Sequence, residues 1–167
     1  MASPQHRGFT LIEMLVVVII IGVLLGITIL SPITGSIHKV IQNETARLQV
    51  LFTQVRDKAL IENVHYGFSI DHDGHYRWWV LPAESQQWVL LEQSPFQPWL
   101  MSGDLSLSLE SIEDSKPFDI EEDVPAVVFY SDYQVTPFRL YIIPVADRKQ
   151  SLYLTTDGLS DITRVRE

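Results

Sequence analysis

The N-terminal part of the chain is almost continuously apolar, and this pattern predicts its first element. Between residues 14 and 33, Thr28 and Ser31 are the only polar side chains. The 22 residues from Phe9 to Leu30 would measure about 33 Å as a helix, enough to cross a bilayer core of roughly 30 Å. We therefore predict a transmembrane helix over residues 9–33. Because Arg7 precedes it, the positive-inside rule places residues 1–8 in the cytoplasm and the chain beyond residue 33 on the other side.

A second pattern follows, in which apolar residues recur at three- and four-residue steps on an otherwise polar segment. This spacing is typical of an amphipathic helix, and we predict one over residues 34–62, continuing from the span. Pro32 lacks a backbone donor and should loosen the helix near residues 28–32 without ending it. The apolar stripe should pack on a globular domain. Its members are Ile37, Val40, Ile41, Leu48, Leu51, Phe52, Val55 and Ala59.

After residue 63 the apolar positions alternate in short runs separated by turn signals, which is typical of β-strands. Asp73-Gly74 and Asp157-Gly158 are sequences expected at tight turns. The segments 93–103 and 110–124 are predicted loops. The pattern predicts an α+β fold in which the long helix packs on an antiparallel β-sandwich formed by residues 63–167. The predicted strands are 65–70, 75–81, 88–91, 105–109, 126–130, 138–143, 151–155 and 159–165.

Four tryptophans lie in or near these strands and could fill the core or form a recognition face. Trp78 and Trp79 are adjacent and must point to opposite faces of one strand. We expect one of the two to cover the helix or to be partly exposed, and an exposed tryptophan would be a candidate interface. The other two are Trp88 and Trp99.

Composition and charge narrow the function classes. The 167 residues contain no cysteine, which excludes disulfides, thiol nucleophiles and thiolate metal sites. The net charge is −9, so phosphate backbones are repelled and nucleic acid is not an expected partner. The predicted loop 110–124 should be solvated and mobile, because its acids outnumber its one lysine. Those acids are Glu110, Glu113, Asp114, Asp119, Glu121, Glu122 and Asp123, beside Lys116.

The sequence gives little support for metal binding or hydrolytic chemistry. Asp71, His72 and His75 lie at a predicted hairpin end, where such residues are common for turn reasons, and a further ligand at motif spacing is missing. The acidic loop lacks the calcium-loop pattern, and neither a nucleophile-elbow nor a phosphate-loop motif occurs. We therefore expect no catalytic residue, no bound metal and no cofactor.

One carboxylate, Glu13, lies inside the apolar run. A charge in lipid costs at least ~2.5 kcal/mol on insertion scales, so such residues usually have a function. Between Glu13 and Lys39 there is no Lys or Arg, which leaves Arg7 as the positive partner, or a group that appears only after processing or assembly. The alternative is a carboxylate that lies shallow in the interface and extends to water.

The string Arg7-Gly8-Phe9-Thr10-Leu11-Ile12-Glu13, followed directly by the apolar run, resembles the class III signal of type IV pilins and pseudopilins. The resemblance implies that a prepilin peptidase cleaves a cytoplasmic leader, residues 1–8, after Gly8 and then N-methylates Phe9. Gly8 fits because a residue without a Cβ lets catalytic groups approach the backbone. Cleavage leaves 159 of the 167 residues and a new amino group, whose partner in a neighbouring subunit's apolar surroundings would be Glu13.

A second stretch narrows the family. Phe129-Tyr130-Ser131-Asp132 and Thr136-Pro137-Phe138-Arg139-Leu140, before an apolar strand, are similar to the H-type minor pseudopilins of type II secretion, which carry Thr-Pro-Phe just before a strand of a β-sandwich. Where members often have Gly after an Asp-like turn residue, this chain has Tyr133 and Gln134, so we expect that turn to differ.

This resemblance implies a structural subunit rather than an enzyme. Such a protein crosses the bacterial inner membrane once, with its N-terminus cytoplasmic and its C-terminal domain periplasmic. It joins the tip of a periplasmic pseudopilus that drives folded proteins across the outer membrane. The implied partners are the other minor pseudopilins, the major pseudopilin, the prepilin peptidase and the inner-membrane assembly platform.

Two alternatives share part of the evidence. A minor pilin of a type IV pilus or DNA-uptake system would have the same N-terminal motif, but DNA binding should bring a basic patch, of which only Arg164 and Arg166 give a hint. A membrane-tethered periplasmic hydrolase would need a convergent triad in a pocket. The absence of cysteine, the acidic balance and Thr136-Pro137-Phe138 favour secretion.

Overall fold

A computed structural model of the protein describes residues 11–30, 32–71, 74–119 and 124–166. These residues form two compact units, one ending at Ile37 and the other beginning at His38. The first unit is helical. The second contains most of a long helix and all of the β-structure.

Helix α1 spans Leu11–Leu30. Its residues from Leu11 to Ile21, apart from Glu13, are large and apolar, and they are exposed in the isolated chain. Among the residues that the structure describes, no helix combines the length and the hydropathy of a membrane-crossing segment.

Helix α2 spans Pro32–Glu62, and proline is well placed at its start because the first helical residues need no backbone donor. The helix ends in a left-handed residue, Asn63, with φ 53°. The amide of Val64 then donates to the carbonyl of Ala59 at 3.3 Å, which is the 6→1 bond of a Schellman motif. This ending turns the chain directly into the first strand.

In the described part of the chain, nine strands follow, in two antiparallel sheets. The first sheet has the order β3-β2-β1-β6, with β4 also paired to β2, and the second has the order β5-β7-β8-β9. The strands are β1 His65–Ile70, β2 His75–Leu81, β3 Val89–Leu90, β4 Trp99–Leu100, β5 Leu105–Ser111, β6 Val127–Phe129, β7 Phe138–Pro144, β8 Leu152–Thr156 and β9 Thr163–Arg166. A short 3-10 helix, Arg148–Gln150, precedes β8.

The core is centred on Phe52 of α2, which is completely buried. Its ring contacts three aromatic rings of the first sheet and one of the second, with centroid distances of 4.9, 5.4, 5.8 and 5.2 Å to Phe68, Trp78, Phe129 and Phe138. One helical residue therefore joins both sheets. The predicted α+β class, with a helix packed on an antiparallel sandwich, is confirmed, and the middle and end of the predicted stripe are buried as expected: Ile41, Leu48, Leu51, Phe52, Val55 and Ala59.

The two adjacent tryptophans do point to opposite faces, and both are buried. Trp78 covers the helix through Phe52. Trp79, on the other face, donates its Nε1 hydrogen to Ser69 Oγ at 2.8 Å. Pro125 crosses this face so closely that a Cβ on Gly67 would lie 2.4 Å from the Pro125 Cβ. Glycine at this position therefore permits the covering segment to approach.

The predicted strands and loops differ from the structure most clearly in three places. The predicted loop 93–103 contains β4, which pairs with β2 through Tyr76 and His75. Strand β5 continues to Ser111, so the predicted loop 110–124 begins too early. Strand β9 begins at Thr163 instead of residue 159, because Asp157 Oδ1 accepts hydrogen bonds from the amides of Leu159 and Ser160 and prolongs the turn.

Candidate assembly site

The N-terminal site residues are only partly within the described chain. Gly8 and Phe9 lie outside the described residues. Glu13 lies in the first turn of α1, where the positive end of the helix dipole favours a carboxylate. Around it the helix is apolar on every side, with Leu11 85% and Ile12 70% exposed. A continuous apolar surface of this kind marks a membrane or protein interface, so α1 presents one carboxylate on a surface that requires a non-aqueous neighbour.

A buried arginine anchors α2 to the loops of the β-domain. The Arg56 side chain is 3% exposed. Its Nε donates to the Tyr133 carbonyl at 2.8 Å, Nη2 to the Leu159 carbonyl at 2.8 Å and Nη1 to the Ser160 carbonyl at 2.9 Å. Sequence reasoning missed Arg56, although it lies within the apolar stripe, between Val55 and Ala59, and a charge in such a position was the available signal.

The turn that departs from the family pattern is built around this arginine. Tyr133 adopts the left-handed conformation, with φ 73°, which a non-glycine residue adopts only at a cost. Its ring lies over the Arg56 guanidinium, with the carbon Cζ 3.9 Å from the ring centroid. The cation–π contact and the carbonyl bond offset that cost. Tyrosine thus occupies a backbone position suited to glycine and adds a contact that glycine lacks.

The Thr-Pro-Phe motif connects the two sheets. The Thr136 amide donates to the Val128 carbonyl at 2.9 Å, and Thr136 Oγ1 accepts from the Val128 amide at 3.1 Å. Phe138 then opens β7 and contacts Phe52. The motif is therefore structural, since it passes the chain from the first sheet into the second beside the helix.

A second arginine of α2, which sequence reasoning also missed, holds β4. The Arg47 guanidinium lies over the Trp99 ring, with Cζ 3.9 Å from the centroid, and it donates to the hydroxyl of Tyr76. Burial raises the pKa of that hydroxyl above its ordinary value of 10. Glu44 Oε2 lies 3.8 Å from Arg47 Nη1. The pairing of β4 is thus fixed from the helix side.

A polar cluster surrounds the end of α2. Glu62 accepts hydrogen bonds from Lys58 and from the hydroxyl of Tyr66. The Lys58 hydrogen bond, followed by that of Tyr66, holds the pKa of Glu62 below its ordinary value. Burial, followed by the Glu62 bond, raises the pKa of Tyr66. These hydrogen bonds stabilise the end of the helix.

The predicted absence of a metal or hydrolytic centre concerns residues that lie only partly within the described chain. Asp71 Oδ2 lies 3.0 Å from Arg77 Nη2 and 3.4 Å from His75 Nδ1, while His72 lies outside the described residues. Among residues 11–30, 32–71, 74–119 and 124–166, no group of three His, Cys, Asp or Glu side chains could hold a metal ion. His65 Nδ1 accepts a hydrogen bond from the backbone amide of Ser131. In a hydrolytic triad this bond would come from a serine hydroxyl instead.

The comparisons with known proteins agree on one family. Residues 4–29 match the family model described as the prokaryotic N-terminal methylation motif. The type II secretion system protein H of Pseudomonas aeruginosa is 30% identical over 165 residues, covering 91% of both chains. The protein of the same name from Escherichia coli K12 is 25% identical over 159 residues, covering 92% of this chain and 90% of that protein.

Solved structures share the fold at lower identity. The minor pseudopilin EpsH of Vibrio cholerae matches with a TM-score of 0.65 and 17% identity, covering 75% of this chain and 95% of that chain. The solution structure of Escherichia coli GspH matches with a TM-score of 0.64 and 20% identity, covering 81% and 94%.

Proposed function

The chain belongs to the protein H family of type II secretion minor pseudopilins, and from this premise we propose that it is a subunit of the periplasmic pseudopilus tip. It is a structural component, not an enzyme. Membership of the family, together with the methylation motif, implies a membrane-anchored periplasmic protein. The filament it joins drives the export of folded proteins across the outer membrane.

The observation that carries this function is the whole-length similarity to a curated relative of the same class, 91% of both chains. A minor pilin of a type IV pilus or DNA-uptake system would share the methylation motif, but both curated relatives are type II secretion proteins. A tethered hydrolase would not share the class of these relatives.

The proposed topology assigns each segment a compartment. Residues 1–8 form the cytoplasmic leader, residues 9–33 cross the inner membrane, residues 34–62 continue as an amphipathic helix, and residues 63–167 form the periplasmic sandwich. The exposed apolar surface of α1 supports an anchor, since such surface is stable only away from water. A fragment that begins at Gly35 is expected to be soluble, monomeric and rich in β-structure by circular dichroism, and an insoluble or unfolded fragment would contradict this division.

The proposed site residues act in sequence. The prepilin peptidase cleaves after Gly8 and methylates Phe9, and the assembly platform then takes up the processed subunit. In the filament, Glu13 provides the counter-charge for an α-amino group in apolar surroundings, where an uncompensated charge is strongly unfavourable. The other minor pseudopilins and the major pseudopilin supply the neighbouring helices.

Processing is tested in a deletion strain that expresses Gly8→Leu. The bulky side chain should block approach to the scissile peptide, so the product should be a precursor eight residues longer, visible by gel shift and mass spectrometry. Ser3→Leu, a change of similar size elsewhere in the leader, is the matched control and should be processed normally. Normal cleavage of the Gly8→Leu protein would overturn the assignment of the cleavage site.

A further inference from the structure

The second sheet carries opposite charges at its two ends. Phe138 pairs with Thr156 at one end of the β7–β8 hairpin, and Ile142 pairs with Leu152 toward the other. The turn that follows Thr156, residues 157–161, contains two aspartates, both exposed. The loop at the opposite end, residues 145–149, contains an arginine and a lysine, also exposed. The charges are therefore separated along the strand direction, within one compact unit.

The acidic end has an apolar centre. Leu159 is 72% exposed, and Tyr130 and Tyr133 are exposed beside it in sequence-distant turns. The amide of Val135 donates to the carbonyl of Gly158 at 2.9 Å, which holds the two turns next to each other. We call this surface the acidic patch. Its members are Tyr130, Asp132, Tyr133, Asp157, Leu159 and Asp161.

The acidic patch is formed before any partner binds. Arg56 donates to the carbonyl of Tyr133 in one turn and to that of Leu159 in the other. Asp157 Oδ1 accepts hydrogen bonds from the amides of Leu159 and Ser160. A surface that is already ordered loses little conformational entropy when it binds. These bonds therefore favour a docking surface over a loose turn.

The opposite end has the complementary composition. Val145 is 64% exposed, and the loop's one acid, Asp147, is occupied internally. Its Oδ1 accepts the Lys149 amide at 3.2 Å, and its Oδ2 accepts Gln150 Nε2 at 2.8 Å. Arg166, which pairs with Leu152, adds positive charge at this end. We call the loop surface the basic patch. Its members are Val145, Ala146, Arg148 and Lys149.

We propose that the acidic patch of one copy of this chain docks the basic patch of a second copy, with Leu159 against Val145 at the centre. An apolar centre inside a polar rim is the usual anatomy of a protein interface, and the two rims have opposite charge. Each patch would repel its own counterpart, which disfavours a two-fold contact. The patches lie at opposite ends of β8, so the contact is head-to-tail and leaves one patch free on each partner.

The inference deepens the proposed function and rests on it. A filament grows through open, head-to-tail contacts between its subunits, because such contacts do not close on themselves. The proposed role of Glu13 concerns the helices of neighbouring subunits, whereas the two patches concern their β-domains. The patches would therefore give the β-domains a contact of their own.

Covalent trapping tests the contact, since individual surface ion pairs are weak. The chain has no cysteine, so an introduced thiol is unique. Full-length processed Val145→Cys and Leu159→Cys proteins are purified in detergent, mixed and oxidised, and dimers are measured on non-reducing gels. The mixture should form disulfide dimers roughly fivefold faster or more than either protein alone, because only the mixture places two thiols in one head-to-tail contact. The proteins alone are the control for association through the apolar helix.

Charge reversal then tests the complementarity. Arg148→Glu/Lys149→Glu, added to the Val145→Cys protein, should slow dimer formation in the mixture by roughly tenfold, because like charges then face each other. A change of similar size at two exposed acids outside both patches, Glu84→Lys/Glu92→Lys, is the matched control. The control should keep the original rate.

The reciprocal change should restore the contact. Asp132→Lys/Asp161→Lys, added to the Leu159→Cys protein, should slow its reaction with the unreversed Val145→Cys protein and recover the rate with the reversed one. Thermal unfolding midpoints check that each protein is folded. If the lysine variant is destabilised, Asp132→Asn/Asp161→Asn replaces it and should give a smaller slowing with the unreversed protein.

Other results would overturn the inference. Equal rates for the mixture and for the single proteins would exclude a head-to-tail contact, and insensitivity to charge reversal would exclude the charge pairing. If a photo-crosslinker on the Leu159→Cys thiol captures a different pseudopilin in solubilised membranes and not this chain, the second copy is the wrong partner. Secretion in a complemented deletion strain is scored separately. Secretion without trapping would refute only the contact, whereas a wild-type gene that restores no secretion would refute the proposed function.

Discussion

The two units of the molecule differ in whether their apolar side chains are exposed or buried. In the first, the side chains from Leu11 to Ile21 are apolar and exposed, with Glu13 as the one charge among them. In the second, Phe52 is completely buried among rings from both sheets, and the buried charge of Arg56 is satisfied by three carbonyls. The first unit needs neighbours to become stable, whereas the second is complete as a fold. The first unit therefore offers a surface for assembly, whereas the second provides the stable fold.

The largest effect is expected when the aromatic ring that joins the two sheets is removed. Phe52→Ala in the fragment beginning at Gly35 should lower the free energy of unfolding by about 3–5 kcal/mol, because a large buried side chain leaves a cavity. Val50→Ala, on the exposed side of the same helix, is the control and should change it by less than about 0.5 kcal/mol. Denaturant unfolding measures both. Equal effects would show that the helix does not organise the core.

A smaller effect is expected at the buried arginine. Arg56→Met keeps most of the side-chain volume but leaves the carbonyls of Tyr133, Leu159 and Ser160 without their donor, and it should cost about 3 kcal/mol. Lys58→Met, which removes the exposed ion pair with Glu62, should cost no more than about 1 kcal/mol. In the full-length protein, neither change should affect leader cleavage. A loss of cleavage in Arg56→Met would show that the two units are not independent.

The smallest expected effect is on the pH dependence of stability, through Asp157. Backbone amides of Ser160 and then Leu159 donate to Asp157 and hold its pKa below its ordinary value of 3.8. A depressed pKa stabilises the fold above the unfolded pKa, and this contribution is lost as the pH falls through the folded pKa. Asp157→Asn should therefore lower stability more at pH 7 than at pH 3, measured by denaturant unfolding of the fragment. An equal loss at both pH values would assign the role of Asp157 to the turn alone.

Much of the second unit could be predicted from local pattern, and its omissions have a common cause. The stripe around Phe52 has helical period, and most strands alternate, so both were found. Arg56 was missed because a charge suggests a solvated face, whereas the partners of this charge are residues more than 70 positions away in the chain. Strand β4 was missed because it has two residues and depends on pairing with β2. Features that require distant partners leave little trace in the local sequence.

In the first unit, the candidate site residues could be predicted from the local sequence. Gly8, Phe9 and Glu13 were identified from a short local motif, and Leu11–Leu30 is helical as the apolar run predicts. The roles proposed for these residues depend on a peptidase, a lipid bilayer and neighbouring subunits, none of which is part of the chain. For this unit the sequence carries the signal, and the isolated fold adds only the position of Glu13 in the first helical turn.

We expect filament assembly to depend on Glu13 and the fold of the β-domain to be independent of it. Glu13→Leu removes a charge that costs at least ~2.5 kcal/mol in lipid, so insertion and leader cleavage should proceed, and the β-domain should remain folded. Met14→Leu is the control at the next position. In a complemented deletion strain, we expect the Glu13→Leu protein to be cleaved normally but to lose crosslinking to other pseudopilins and to fail in secretion. Normal crosslinking and secretion by this variant would contradict the claim and would leave Glu13 as an interfacial acid without a role in the filament.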